Sequence, residues 1–278
     1  MNIKQQTLKS ALYLIPTPIG NLEDISTRSI YILEQSDYIL CEDTRVTLKF
    51  LNHLKLKKKL IAFHQFNENE KIKSILQDLK QNKILSLVSD AGTPALSDPG
   101  RLLISKCHEQ NVDVIPIPGA SAITCAISAS GFSDQFFFCG FLPKKDKEIN
   151  NMLESYKSLK ASLVFFMPAR DLEKNLIYFN KYFPQNNFFL AREMTKIHET
   201  YIRDKVSNLK NYTKDNLKGE ITFIIDNNLA SPKKIVDIDE EIKMLIGKMS
   251  SKDIAEYLSK KLAINKKSIY QKAIKINE

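Results

Sequence analysis

Ala11-Leu-Tyr-Leu-Ile-Pro-Thr-Pro-Ile-Gly-Asn21 passes from an unbroken apolar run into a loop stiffened by Pro16 and Pro18 and opened by Gly20. The same passage recurs twice. Ile84–Val88 runs into Ser89-Asp-Ala-Gly-Thr-Pro94 and Ser97-Asp-Pro-Gly100, and Val112–Ile117 overlaps Pro116-Ile-Pro-Gly-Ala-Ser121. Four of the eight glycines and six of the ten prolines fall in or beside these loops. Glycine lets backbone approach a ligand closely, and proline holds a loop in one shape. In open α/β sheets ligands bind outside the carboxyl ends of the strands, so three such loops point to one small-molecule site. Neither GxxxxGK[ST] nor GxGxxG occurs, which removes a P-loop and a Rossmann dinucleotide site from consideration.

Outward from these loops, short apolar runs alternate with amphipathic stretches. Strands are expected at Ala11–Ile15, Tyr38–Cys41, Leu60–Phe63, Ile84–Val88, Val112–Ile117 and Phe136–Phe138. Helices are expected near Ser26–Gln35, Val46–Leu54, Asn69–Lys80, Arg101–Glu109 and Ala120–Ser130. Such alternation predicts an α/β domain with a largely parallel sheet. Gly140-Phe-Leu-Pro-Lys-Lys145 reads as a linker. Beyond it, strands at Ser162–Phe166, Phe188–Ala191 and Glu220–Ile225, with helices near Lys147–Leu159 and Asp171–Tyr182, predict a second α/β domain. In the tail, Ser250-Ser-Lys-Asp253 fits a helix-capping pattern, and Ile254, Leu258 and Leu262 follow at helical spacing. A second short helix carries Ile269, Ala273 and Ile276. The expected division is 1–141, 142–230 and a Lys-rich helical segment 231–278.

The chain has 278 residues, 41 basic and 32 acidic, for a net charge of +9, which favours an anionic partner, nucleic acid ahead of membrane. Its four cysteines form no CxxC and no Cys/His cluster of zinc spacing, so a reducing compartment and no structural metal are expected. The first apolar run is too short and too proline-interrupted for a signal peptide or a span, which points to the cytoplasm.

The loops also carry a resemblance. Leu12 to Ile25, Cys41-Glu-Asp-Thr-Arg45, Val88 to Gly100, Pro116 to Gly131, Gly140 to Lys145, Ala191 to Glu199 and Lys218-Gly-Glu220 together resemble the tetrapyrrole methylase family, in its branch that methylates a ribose 2′-hydroxyl of 16S ribosomal RNA. The likeness runs nearly the length of the chain. It implies two α/β domains with S-adenosyl-L-methionine in the cleft between them, no metal, and a homodimer. On the matching positions it implies that Pro18, Gly20, Asp90, Ala91, Gly92, Ser121 and Ala122 hold the cofactor. Two stretches depart from the family's pattern. Phe166-Met-Pro-Ala-Arg170 stands where the family tends to have Tyr-Glu-Ser-Pro-His-Arg, and His64-Gln-Phe-Asn67 where it tends to have His-Glu-His-Asn.

Methyl transfer to a sugar hydroxyl needs alignment of donor and acceptor, and a group to take the hydroxyl proton. Asp24 and Glu42 are the leading choices, since each ends a matched motif at a strand–helix junction. Asp43, Asp98 and His64 are further candidates; helix capping is the favoured reading of the two aspartates, and a structural role that of the histidine. Arg45, Lys144, Lys145, Arg192 and Lys196 lie within matched motifs and are the expected RNA contacts, with 16S RNA or the 30S subunit as partner. Two other readings compete: a corrin-pathway methylase, and a non-catalytic RNA-binding assembly factor.

Overall fold

The strand at Ala11–Ile15 (β1) is buried at Ala11, Leu12, Tyr13 and Ile15 and sits inside a five-stranded sheet. The computed structural model describes residues 8–213, 217–228, 238–247, 249–262 and 265–277. In the first sheet β1 joins Tyr38–Cys41 (β2), Leu60–Ala62 (β3), Ile84–Val88 (β4) and Val114–Pro116 (β5) in the order β3-β2-β4-β1-β5. Every pairing is parallel, as the near-continuous apolar runs require for strands covered on both faces. One face buries Leu12, Leu40, Leu85 and Leu87 under the helices Glu68–Lys80 (α3) and Arg101–Glu109 (α4). The other buries Tyr13, Ile15, Ile39 and Val88 under Thr27–Gln35 (α1) and Thr44–His53 (α2).

Strand order decides where a site forms. From β1 the chain crosses to β2 on one side, and from β4 it crosses to β5 on the other, although β1 and β4 are neighbours. Their loops therefore leave adjacent strand ends in opposite directions and open a crevice at the carboxyl edge. Helix Ala122–Ser130 (α5) follows β5 and ends at Gly131, whose φ of +62° suits a left-handed helix stop.

The second sheet is mixed. Phe136–Phe141 (β6), Ser162–Pro168 (β7), Asn187–Arg192 (β8), Thr200–Lys205 (β9) and Glu220–Asp226 (β10) lie in the order β6-β7-β10-β8-β9. Only β6 and β7 pair in parallel. One face packs Phe165, Phe188 and Phe223 against Asp146–Tyr156 (α6) and Leu172–Tyr182 (α7), with Phe179 stacked 4.8 Å from Phe223. The other face packs Val164, Phe189, Ala191 and Ile224 on Ile123 and Ala126 of α5. That helix is thus the joint between the two sheets. The strand at Phe136, expected to close the first domain, pairs with β7 instead, so the change of sheet falls before Phe136 rather than after Phe141. Strand β9 was not expected; its alternating exposed positions include Tyr201 and Arg203, a pattern tolerated because it is a sheet edge.

The chain divides after Asn228 into two compact units. The second contains three described helices, Ile238–Leu245 (α8), Ser251–Leu262 (α9) and Lys266–Asn277 (α10), one more than the tail's pattern suggested. Ile242, Ile254, Ala255, Leu258, Ile269 and Ala273 form its core. The capping pattern is realised: Ser250 Oγ accepts from Asp253 N at 3.3 Å and donates to Asp253 Oδ2 at 2.6 Å.

Candidate functional site

The three glycine- and proline-rich loops meet at the carboxyl edge of the first sheet. Thr17 and Gly92 exchange both backbone hydrogen bonds at 2.9 Å, which joins the first loop to the second. Thr93 Oγ1 donates to Ala120 O at 3.1 Å and joins the second to the third. Gly92 has φ +82° and lines the crevice, so this turn demands glycine whatever space surrounds it. Gly20 is required for a different reason. A Cβ there would lie 2.6 Å from Thr195 Oγ1 and 2.9 Å from Met194 O, and Asn21 N donates to Thr195 Oγ1 at 2.9 Å. The first loop is therefore latched to the turn after β8, where Glu193 and Thr195 both hold positive φ.

Between these loops and the second sheet lies a cavity of about 260 Å³. The first domain supplies Ile19, Asp90–Thr93, Leu96–Asp98 and Ser121–Ile123. The second supplies Phe141, Phe166–Pro168, Glu193, Met194, Lys196 and Glu220–Thr222. One wall is thus backbone and small or acidic side chains, and the other is mainly apolar. A flat aromatic ring suits the apolar wall, and a charged group suits the acidic one. Of the residues expected to hold a cofactor, Asp90, Ala91, Gly92, Ser121 and Ala122 line this cavity. Pro18 lines a neighbouring concavity on the other side of the Thr17–Gly92 bridge, and Gly20 serves the latch.

The carboxylates sort differently from expectation. Asp24 sits on an exposed turn of 3-10 helix, Leu22–Asp24, and lines neither concavity. Asp43 caps α2, accepting from Arg45 N at 2.8 Å, and holds the Arg45 guanidinium at 2.6 Å. Those contacts, the guanidinium hydrogen bond first, keep its carboxyl down at about 2. Asp98, for which capping seemed enough, caps nothing: the N-cap of α4 is Gly100. Its carboxyl lines the cavity and is pushed up to about 6, by burial first and then by the charges of Glu42 and Asp90. Burial also raises Asp90 and Glu42; Asp90 raises Glu42 further, while His64 opposes that rise. Glu42, Asp90 and Asp98 therefore form one interacting group at adjacent strand ends. His64 stands beside it, with Nε2 3.1 Å from Asn67 Nδ2 and a buried Nδ1 that meets no partner among the described residues.

The expected RNA contacts separate too. Lys196 lines the cavity, with Nζ 2.8 Å from Glu193 Oε1 and 3.6 Å from Glu220 Oε2. Arg192 donates to Lys218 O, His198 O and Thr200 Oγ1, and so ties loops together. Arg45, Lys144 and Lys145 are exposed, Arg45 on Asp43 and Lys145 on Glu148. The apolar wall, Phe141, Phe166, Met167 and Ile221 among it, was missed. Phe166 and Ile221 fall in the strands expected at Ser162–Phe166 and Glu220–Ile225, Phe141 in the stretch expected as a linker, and Met167 in a stretch that departs from the family's pattern. Among the described residues no group of three or more His, Cys, Asp or Glu could hold a metal ion, and no helix is long and apolar enough to cross a membrane.

Residues 11–210 match the family model described as tetrapyrrole (corrin/porphyrin) methylases. Over 227 residues the chain is 38% identical to ribosomal RNA small subunit methyltransferase I of Halalkalibacterium halodurans, covering 81% of this chain and 78% of that protein. It is 36% identical over 268 residues to the protein of the same name from Rickettsia prowazekii, covering 95% and 96%. Among solved structures, uroporphyrin-III C-methyl transferase from Thermus thermophilus, complexed with S-adenyl homocysteine, superposes with a TM-score of 0.53 over 78% of this chain and 98% of that one. At 12% identity that likeness is one of fold.

Proposed function

The chain belongs to the tetrapyrrole methylases and, within them, to the ribosomal RNA small subunit methyltransferase I proteins, and from that premise we propose that it methylates a cytidine ribose 2′-hydroxyl of 16S ribosomal RNA from S-adenosyl-L-methionine. The observation that carries this reading is the cavity at the Thr17–Gly92 crossing, with a backbone cradle and carboxylates on one wall and apolar side chains on the other.

The residues fit the cofactor. Gly92 keeps the cradle free of a Cβ, and Phe166, Met167 and Ile221 offer the apolar surface an adenine ring needs. When bound, the cofactor supplies an electrophilic methyl on a positively charged sulfonium. Ala91, Gly92, Ser121 and Ala122 present backbone at the cavity and orient what it holds. The carboxylates of Asp90 and Asp98, which line the cavity, favour a positive charge there over a neutral product. Asp98 is assigned as acceptor of the hydroxyl proton: it lines the cavity, and its pKa near 6 leaves it ionised at neutral pH yet more basic than an ordinary carboxylate. Glu42 sustains that basicity through its charge. Lys144 and Lys145, exposed at the start of α6, and Arg45 on α2 give the RNA phosphates cationic neighbours. A ribosomal substrate supports a cytoplasmic location, and light scattering tests the homodimer that the family resemblance implies.

The test is transfer of labelled methyl to 30S subunits, then digestion to nucleosides. Label in 2′-O-methylcytidine, at a position resistant to alkali, is expected, because the 2′-oxygen can no longer attack its phosphate. Label on a base, in an alkali-labile product, would overturn the ribose assignment.

A further inference from the structure

The second concavity, about 360 Å³, lies between the first loop and α2. Its floor is Thr17, Pro18, Ser89, Thr47 and Phe50, all buried. Its lips are Leu22 and Val46, 38% and 40% exposed, with Lys49 beside them. Two apolar lips, with Pro18 and Phe50 beneath them, make a slot that suits a flat ring.

The slot's polar groups are few. Thr17 Oγ1 already donates to Ser89 O at 3.0 Å, and Ser89 Oγ to Gly92 O at 2.9 Å. Thr47 shares a hydrogen bond with the Cys41 thiol, which leaves Asp90 and Lys49. Asp90 lines both concavities, and its Oδ1 receives only a long 3.3 Å contact from Asp43 N. Lys49 is exposed and makes no ion pair among the described residues, whereas Arg45, one turn earlier on α2, is held by Asp43. The slot therefore shares a wall with the cofactor cavity and carries a cation at its rim.

We propose that this slot seats the pyrimidine base of the acceptor nucleotide, with its backbone phosphate toward Lys49. The proposal rests on the ribose-methylation reading above. Because Asp90 separates the two concavities, a base held in one with its ribose-bearing edge toward Asp90 puts that ribose at the edge of the other, which is where a 2′-hydroxyl must lie to meet the methyl group.

Two experiments test this. Methyl-labelled wild-type protein, with S-adenosyl homocysteine present, is titrated to millimolar concentration with 5′-CMP. CMP is expected to shift the Leu22 and Val46 methyl resonances, and to leave Leu22 unmoved in Val46→Trp. No shift at either methyl with CMP would overturn the slot. In methyl transfer to 30S subunits, Val46→Trp is expected to lower kcat/KM for the subunit at least about tenfold, with S-adenosylmethionine affinity within about twofold of wild type. Lys49→Glu should weaken subunit binding, with a loss that shrinks as salt rises. Wild-type kcat/KM from folded Val46→Trp overturns the slot and leaves the ribose reading standing. Wild-type protein that labels no 30S ribose overturns that reading, and the CMP titration then decides the slot alone.

Discussion

In the first sheet all four pairings are parallel and five carboxyl ends finish at one edge; in the second, three of four are antiparallel, so that β6, β7 and β8 end at one edge and β9 and β10 at the other. The consequence is a division of labour. The parallel edge gathers Glu42 from the end of β2 and Asp90 and Asp98 from the loop after β4 into one interacting group. The mixed sheet brings only three carboxyl ends to the cavity, at Phe141, at Phe166–Pro168 and at the turn Glu193–Lys196, beside Glu220–Thr222 at the start of β10. Chemistry sits on the side where topology concentrates loops, and shape on the side where it does not.

The sharpest way to break that comparison is to remove chemistry from the parallel edge. Asp98→Asn is expected to lower turnover about 10²–10⁴-fold, with a much smaller change in cofactor affinity. Glu42→Gln, acting through Asp98, should cost about tenfold and shift the acid limb of the pH–rate profile downward, because its charge helps raise Asp98. Asp24→Asn, on its exposed turn, should change turnover little. Single-turnover methyl transfer orders the three. Equal losses at Asp24 and Asp98 would sink the assignment.

A smaller effect is expected from the apolar wall. Phe166 packs against Phe138 and Phe141 at 5.0 and 5.7 Å and faces the cavity. Phe166→Ala should weaken S-adenosylmethionine binding by about tenfold, read by calorimetry, while turnover at saturating cofactor changes less. A turnover loss as large as that of Asp98→Asn would mean that the wall does more than shape the site.

Surface charge comes next. Lys145→Glu should weaken 30S binding severalfold and lower the salt slope by about one. Arg192→Ala is expected to act otherwise, lowering the melting temperature, because its guanidinium holds carbonyls at Lys218 and His198. A lost salt slope in a stable Arg192→Ala protein would return that residue to the RNA surface.

The smallest effect is on stability against pH. Asp98 in the folded chain titrates near 6, above its ordinary value of 3.8. Below the ordinary value both folded and unfolded forms are protonated. As pH rises from about 4 to about 6 the unfolded form ionises first, so stability falls through that window and stays lower above it. Asp98→Asn lacks this loss. Its melting temperature should exceed wild type by a few degrees at pH 7 to 8 and match it below about pH 4. A difference that is constant across pH would place the carboxyl's ordinary value inside the fold.

Much of this was legible in the chain alone. Unbroken apolar runs announce parallel strands because both faces are covered, and glycine and proline after them announce loops that must hold one shape, so β1, β4, β5 and the cradle at Gly92 could be read directly. The family could be read for the same reason, since its motifs are those loops. Sequence neighbourhood, however, carries no pairing information for a strand like Phe136–Phe141, which follows α5 in the chain yet pairs with β7. Nor does it tell a capping aspartate from one facing a cavity: Asp43 and Asp98 both stand before a helix, and only the fold brings Glu42 and Asp90 around the second. Lys196 and Arg192 read as surface cations because long basic side chains usually are, until Glu193, Glu220 and the carbonyls of the neighbouring loops close on them. The chain's local pattern settled which segments are strands and which loops must be special, since backbone sterics and burial act over a few residues. Which side chains face each other across the cavity was left to the tertiary structure, because that depends on strand order, a property of contacts far apart in the chain.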